Sequence, residues 1–150
     1  MSKVFKLIAV LFLSVSILVV STLFFINYLA RKSLPDYNRI VESSIIDHET
    51  KVFRDNYAVP TIKGKTDKDV FFALGYVHAQ DRLWQMLLLR RTVQGKLSEY
   101  FGKETLETDI LMRTLDIYNI AYKSTIHISP EILGLVTAYS HGVNQRIRDV

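Results

Sequence analysis

The pattern of hydrophobic and polar positions divides the chain into three stretches of different character. From Leu7 to Ala30 there are 24 residues without a charge. Residues 45–62 are rich in Ile, Thr, Val and Phe with polar residues between them, which is typical of short strands. From Thr66 onward, apolar residues recur every three or four positions and predict several amphipathic helices. The pattern therefore predicts an α+β chain: an N-terminal transmembrane helix, then a β-hairpin, then amphipathic helices.

The N-terminal stretch is long enough to cross a bilayer, which takes about 20 apolar residues. The alternative is a cleavable signal peptide, whose apolar core is about 7–15 residues long and ends in small residues. Tyr28 stands two positions before Ala30, at a place where a signal peptidase prefers a small residue, and Ser21 with Val19 is a weak alternative site. We therefore expect an uncleaved anchor. Residues 1–32 are predicted to form a cytoplasmic tip and this anchor, and residues 33–150 the rest.

A connector and a β-hairpin are expected next. Pro35, within residues 33–36, blocks any continuation of the helix. The first strand is predicted from Ile45 to Arg54 and the second from Val59 to Ile62, with a turn at residues 55–58. Because Pro60 has no amide hydrogen, the second strand is expected to be an edge strand or to be interrupted there.

The longest amphipathic stretch outside the N-terminus is expected to begin at Thr66, whose hydroxyl can cap a helix, with Asp69 three residues later reaching back. Two apolar stripes lie side by side and predict a wide buried face. The first stripe is Phe72, Tyr76, Ala79, Leu83 and Met86, and the second is Ala73, Val77, Trp84 and Leu87 or Leu88.

Polar residues of the same helix fall on one face, at His78, Asp81, Arg82 and Gln85. One interpretation is a functional cluster. The other, which we favour, is a structural network in which Asp81 pairs with Arg82 or with a neighbouring element. A metal site at His78 and Asp81 is less favoured, because two ligands do not complete one.

The remaining residues predict further helices. Gly95 is expected to end the long helix, residues 96–101 to add a helical turn that Gly102 closes, and Thr108 or Asp109 to open another helix. That helix has an apolar stripe and an expected Asp109–Arg113 pair. Its stripe is Leu111, Leu115, Tyr118 and Tyr122.

The last helix is predicted to start at Ser129-Pro130-Glu131, where a capping serine precedes a proline. Its predicted buried stripe is Ile132, Val136, Tyr139, Val143 and Ile147, and His141 is interpreted as a surface residue. Since no capping signal stands at residues 149–150, we expect the helix to continue beyond residue 150.

Composition narrows the possible functions. The chain contains no cysteine, so a thiol nucleophile, a disulfide framework and a cysteine-bound metal are excluded. The net charge is +4, but acidic residues lie among the basic ones and form no basic stripe with stacking aromatics. We therefore expect no nucleic acid partner.

The stretch GYVHAQDRLWQM at residues 75–86 resembles the opening of the penicillin acylases (penicillin amidases), which are N-terminal nucleophile hydrolases. Residues 90–91, 95–99 and 101–102 continue the resemblance, and so do Asp109, Arg113 and residues 138–144. The hairpin is similar to the family signature "RD, two residues, GVPHI", with Ala58 at the glycine position and Thr61 at the histidine position. If Ala58 takes a positive φ, it is strained by roughly 1–2 kcal/mol.

The resemblance implies a fold and a mechanism that this chain contains only in part. Such proteins are precursors that cleave themselves into a small (alpha) and a large (beta) chain, and the serine at the new N-terminus of the beta chain is the nucleophile. Their fold is a four-layer αββα sandwich. The match covers only the first part of the alpha chain, so no catalytic, cofactor-binding or metal-binding residue is assigned. Calcium is implied for the complete fold, with ligands beyond residue 150.

The sequence gives no reason to assign a catalytic role to any of its serines or histidines. Ser43, Ser44 and Ser98 lie in linkers or in matched alpha-chain positions. A triad of His78, Asp81 and Ser98 can be drawn, but the sequence supplies no geometry for it.

The sequence leaves three functional hypotheses. The chain is the N-terminal fragment of a membrane-anchored penicillin-amidase-like hydrolase and is inactive alone, or it is the first chain of a split enzyme, or it is a membrane-anchored helical interaction module. Under the first two, its partners are the remainder of the alpha chain and a beta chain carrying the N-terminal serine. Basic residues flank both ends of the anchor, so their distribution does not predict its orientation. Members of the family that the chain resembles are typically exported, and the resemblance therefore implies the orientation. We expect a single-pass protein of the bacterial inner membrane with most of the chain in the periplasm or outside.

Overall fold

The structure, a computed structural model, describes residues 3–32, 34 and 36–150. The chain forms two compact units, Met1–Ile40 and Val41–Val150. Ser33 and Pro35 of the predicted connector lie outside the described residues. The division of the chain into an anchor at residues 1–32 and a second domain at residues 33–150 stays a prediction.

The first unit contains a single long helix, α1, at Lys3–Lys32, and none of its residues is buried. By its length and composition it is apolar enough to cross a membrane. A signal sequence near the N-terminus has the same properties. The helix therefore fits either an anchor or a signal sequence.

The second unit begins with a short antiparallel hairpin. Strand β1 at Lys51–Arg54 pairs with β2 at Pro60–Lys63, with Val52 opposite Ile62. Pro60 is the first residue of its strand, as expected for a residue without an amide hydrogen. The predicted start of the first strand at Ile45 is wrong, because the backbone near Asp47 is bound to the Asp69 carboxylate instead of to a second strand.

Helix α2, at Asp67–Val93, begins and ends as predicted. The Thr66 hydroxyl accepts a hydrogen bond from the Asp69 amide at 3.2 Å. At the other end Gly95 has a φ of +62°, and the amides of Gly95 and Lys96 donate to the carbonyl oxygens of Thr92 and Arg91. This is a Schellman motif, in which glycine supplies the left-handed residue.

Helix α6, at Pro130–Arg148, packs across the first half of α2. It starts at Ser129, which accepts from the Ile132 amide at 3.3 Å, as predicted. The two backbones touch: a Cβ on Gly142 would lie 1.9 Å from the Phe72 carbonyl oxygen, and one on Gly75 2.0 Å from the Tyr139 carbonyl oxygen. Only glycine fits either position.

This close contact corrects the predicted buried stripe of α6. The residues that face α2 are the small ones, so Ala138 and Gly142 are buried while Ile132, Val136 and Ile147 are nearly half exposed. In α2, Trp84 is likewise 59% exposed. The buried hydrophobic residues of the described chain are Phe72, Ala73, Val77, Ala79 and Ala138.

Between α2 and α6 the chain forms short helices. They are α3 at Ser98–Phe101, a 3₁₀ turn at Gly102–Thr105, α4 at Leu106–Leu115, α5 at Ile117–Ser124 and a 3₁₀ turn at Thr125–His127. The predicted single helix from residue 108 is wrong, since Asp116 has a φ of +53° and breaks it. Its predicted stripe of Leu111, Leu115, Tyr118 and Tyr122 is exposed.

Candidate functional site

A bidentate ion pair joins the hairpin to α2. The two guanidinium nitrogens of Arg54 donate to the two carboxylate oxygens of Asp81, each at 2.9 Å. The same guanidinium donates to the Gln80 side-chain oxygen at 3.1 Å and to the Ala58 carbonyl oxygen at 2.8 Å. Because the Arg54 side chain is only 13% exposed, this pair is shielded better than a surface pair. Asp81 thus pairs with a neighbouring element, as the structural interpretation expected.

The turn beside this pair is closed by the Asp55 side chain, whose Oδ1 accepts from the amides of Tyr57 and Val59, both at 2.9 Å. Ala58 has a φ of +62°, in the left-handed region. The strain expected for a positive φ at the family's glycine position is therefore present, and alanine there costs roughly 1–2 kcal/mol.

The residue after Asp81 interrupts α2. Arg82 has φ −139° and ψ 23°, outside the helical region, so the helix changes direction there. The expectation that His78, Asp81, Arg82 and Gln85 share one regular helical face is wrong for this reason. The Arg82 side chain itself is exposed.

A second carboxylate, that of Asp69, is fully buried at the start of α2. One oxygen accepts from the Asp47 amide at 3.0 Å, and the other accepts from the Thr66 hydroxyl at 2.7 Å and lies 3.1 Å from Nδ1 of His48. Burial alone raises the pKa of Asp69, but the hydrogen bonds from Thr66, Asp47 and His48 outweigh it and lower the pKa from 3.8 to about 2. Asp69 therefore holds the 47–48 loop as a carboxylate.

A third carboxylate, that of Asp109 in α4, organises the segment after α2. It accepts from the Leu97 amide at 2.7 Å, the Ser98 amide at 2.8 Å and the Ser98 hydroxyl at 2.6 Å. Burial raises the pKa of Asp109, but these hydrogen bonds and the charge of Arg113 outweigh burial. The pKa of Asp109 is therefore lowered from its ordinary value. Instead of forming the predicted pair with each other, Asp109 and Arg113 both bind the segment after α2. Asp109 binds residues 97 and 98, and Arg113 donates from Nε to the Gly95 carbonyl oxygen at 2.9 Å.

The residues that could be drawn as a triad have separate partners. Nδ1 of His78 lies 3.1 Å from the Tyr139 hydroxyl, Asp81 binds Arg54, and Ser98 donates to Asp109. His141 is exposed on α6, as expected. A nucleophilic serine needs a base within hydrogen-bond reach, and the structure joins none of these serine, histidine and aspartate side chains in that order.

The contacts of the buried aspartates stabilise the fold. Asp69 and Asp109 are ionised at neutral pH and each already accepts hydrogen bonds from neighbouring groups, which suits neither a general acid nor a free base. Within residues 3–32, 34 and 36–150, no group of three or more His, Asp or Glu side chains is placed to hold a metal ion.

Two features of the structure escape prediction from the sequence pattern. The first is His48, because a histidine in a loop carries no signal for a contact with a carboxylate 21 residues away. The second is the helix crossing, although its glycines do leave a signal. Gly75 with Ala79, and Ala138 with Gly142, are small residues four positions apart, a spacing that allows close helix packing.

One family of known proteins has a sequence model that matches most of this chain. The family model described as penicillin amidase matches residues 49–150, which is more than half of the chain. The chain belongs to the penicillin amidase family. The match includes the hairpin, the Arg54–Asp81 pair, both buried aspartates and the α2–α6 crossing.

Individual relatives agree with the family assignment. Penicillin acylase 2 proenzyme of Pseudomonas sp. (strain SE83) is 40% identical over 94 residues, covering 63% of this chain and 12% of that protein. Acyl-homoserine lactone acylase QuiP of Pseudomonas aeruginosa is 37% identical over 112 residues, covering 75% of this chain and 13% of that protein. The chain thus spans only a small fraction of the length of its curated relatives.

A solved structure supports the fold. The chain resembles the thermostable penicillin G acylase from Alcaligenes faecalis with a TM-score of 0.61 and 25% sequence identity, over 68% of this chain and 54% of that one. The helical arrangement with its two-stranded hairpin is therefore consistent with a piece of a penicillin acylase.

Proposed function

We propose that this chain is the N-terminal part of a membrane-anchored, penicillin-amidase-like hydrolase that acts on the carbon–nitrogen amide bonds of N-acyl compounds, and that it is inactive alone. The observation that carries the proposal is the family match over residues 49–150, together with relatives named as penicillin and acyl-homoserine lactone acylases. In this proposal the chain contributes a fragment of the αββα N-terminal nucleophile hydrolase fold.

The proposed reaction needs groups that we expect on the missing parts of the enzyme. The hydroxyl of an N-terminal serine attacks the amide carbonyl carbon, the serine's own α-amino group takes the proton, and the amine leaves with a proton. Water then cleaves the resulting ester and releases the acid. Backbone amides and an asparagine stabilise the oxyanion. The role proposed for the present residues is to position the segments that come after them in the enzyme.

The proposal is tested with the full chain, purified in detergent and mixed with a chromogenic N-acyl amide. We expect no release of acid, while Escherichia coli penicillin G acylase, a relative 36% identical over 103 residues, serves as the positive control. Steady turnover that disappears when a serine of this chain is changed to alanine would overturn the claim of inactivity and place a nucleophile within the chain.

The split-enzyme alternative accounts equally well for the exposed apolar side chains of α4 and α5, which a further chain would cover. It predicts that a separately produced partner chain with an N-terminal serine restores hydrolysis when added. If the partner binds without restoring activity, a helical interaction module is the better explanation.

We further propose that α1 stays attached as a single-pass anchor of the bacterial inner membrane, with the bulk of the chain facing the periplasm or exterior. Two measurements test this. N-terminal sequencing of the mature protein should give the original N-terminus, and a start near Arg31 would contradict it. Because the chain has no cysteine, Asn56→Cys creates a single thiol, which a membrane-impermeant maleimide should label in intact spheroplasts.

A further inference from the structure

The two halves of α2 differ in how they are held. Every buried residue of the helix lies between Asp69 and Ala79, where α6 crosses it. After Arg82, the described residues of the helix are half-buried or exposed, and Trp84 and Leu89 are 59% and 67% exposed. A helix segment with few buried apolar contacts opens or moves more readily than one in a core. The first half is therefore fixed by packing, and the second half is not.

The second half is nevertheless joined firmly to the next segments of the chain. Asp109 of α4 binds the amides of Leu97 and Ser98, and Arg113 of α4 binds the Gly95 carbonyl oxygen. These contacts tie the segment that follows α2 to α4, and we call residues 83–115 the arm. The body is the hairpin, residues 67–81 of α2, and α6.

The joint between them is Arg82, whose backbone leaves the helical region. Kinks in helices usually occur at proline or glycine, and the sequence around Arg82 contains neither, so intrinsic backbone preference does not explain this one. The nearest specific contact is the Arg54–Asp81 pair, which ends the body one residue before the break and ties it to the hairpin.

We propose that α2 is hinged at Arg82 and that the Arg54–Asp81 ion pair, both of whose partners lie in the body, limits the angle of the arm by holding the last turn before the hinge against the hairpin. The second half of α2 has 11 residues, so it is about 16 Å long at ~1.5 Å per residue. A change of about 20° in the kink moves its end by roughly 6 Å. If the proposed function is right, the hinge adjusts the apolar face of the arm to the rest of the hydrolase, but the test of the hinge does not depend on activity.

Electron–electron double resonance on the full chain in detergent micelles tests the hinge, since the absence of cysteine lets pairs of spin labels be placed freely. The arm pair is Glu107→Cys with Ser140→Cys, and the body pair is Asp67→Cys with Ser140→Cys, all at exposed positions. We expect narrow distance distributions for both pairs in the parent protein. Asp81→Ala should broaden the arm distribution and shift its mean by several ångströms, about the 6 Å lever estimate, and leave the body distribution unchanged.

Two further variants separate the loss of this ion pair from general destabilisation. Arg54→Lys keeps the charge but cannot form the bidentate contact, and should give the same broadening as Asp81→Ala. Asp47→Ala removes the exposed pair with Lys68, which lies in the body, and should change neither distribution. Broadening of both pairs together, no change in either, or a broad body distribution in the parent protein would each overturn the proposal.

Discussion

The α2–α6 crossing and the α4–α5 region have the same kind of sequence, yet only the first is packed. Both have apolar residues at helical spacing, and in both the pattern predicts that the large ones are buried. At the crossing, Gly75 and Gly142 let two backbones touch and bury small residues between them. Around α4 and α5 the large residues remain exposed. Periodicity predicts that a helix forms, whereas small residues decide which helices pack closely.

The two regions nevertheless share one device. Each contains a buried aspartate with several polar partners: Asp69 accepts from the Asp47 amide and from the Thr66 hydroxyl at the start of its own helix, and Asp109 accepts from groups of Leu97 and Ser98. A charge-assisted hydrogen bond contributes about 1.5–3 kcal/mol, more than a neutral one. Around α4, where few apolar side chains are buried, the hydrogen bonds of Asp109 therefore hold the chain in place.

The largest loss of stability is expected from a side chain placed between the touching backbones of α2 and α6. Gly142→Ala places a methyl group 1.9 Å from the Phe72 carbonyl oxygen and 2.8 Å from the Tyr76 amide nitrogen. Since backbone atoms cannot rotate away, α6 must shift, and we expect a loss of about 3 kcal/mol or more, at the upper end for overpacked cores. Chemical denaturation followed by circular dichroism measures the change.

Gly134→Ala is the matched control, because it lies in the same helix with no atom within 4 Å of the new methyl group. Alanine is better than glycine in a helix by about 0.8–1.0 kcal/mol, so this variant should be more stable than the parent. If both variants lost the same stability, the close crossing of α2 and α6 would be wrong.

The next effect is a pH dependence from Asp69. Its pKa is lowered on folding, from 3.8 to about 2, so its contribution is fully present above pH 3.8 and is lost as pH falls toward 2. A shift of this size corresponds to a contribution of roughly 2 kcal/mol. The free energy of unfolding should therefore fall between pH 4 and pH 2.

The variant Asp69→Asn should lose much of this slope and be less stable at pH 7, where its amide cannot replace a carboxylate that accepts three hydrogen bonds. Asp67→Asn, an exposed neighbour in the same helical turn, should keep the slope. A slope that survives Asp69→Asn intact would show that other carboxylates, Asp109 first, dominate acid unfolding.

Several elements could be predicted from the sequence because their signals are local. The ends of α2 and the start of α6 follow from Thr66, Gly95 and Ser129, each of which acts on backbone groups a few residues away. The family resemblance at residues 75–86 was also confirmed, because twelve consecutive residues carry far more information than a short motif.

The rest depends on contacts that are distant in sequence. The strand predicted from Ile45 was shortened by Asp69, more than 20 residues away, and the partner of Asp81 is Arg54 on another element. The break at Asp116 places a non-glycine residue at positive φ, which periodicity cannot show. No local rule ranks such contacts against the helical pattern, so the sequence predicted elements better than their packing.

The smallest change in stability is expected at the hairpin, which Arg54 ties to α2. Ala58 has a φ of +62°, and its carbonyl oxygen accepts from Arg54 at 2.8 Å. Ala58→Gly removes roughly 1–2 kcal/mol of strain but adds about 0.4–1 kcal/mol of chain entropy to the unfolded state. We expect a net gain near 0.5–1 kcal/mol, seen as a higher denaturation midpoint. Ala121→Gly, in the exposed helix α5, should instead cost about 1 kcal/mol. Equal losses in both variants would mean that the turn does not hold Ala58 in the left-handed conformation.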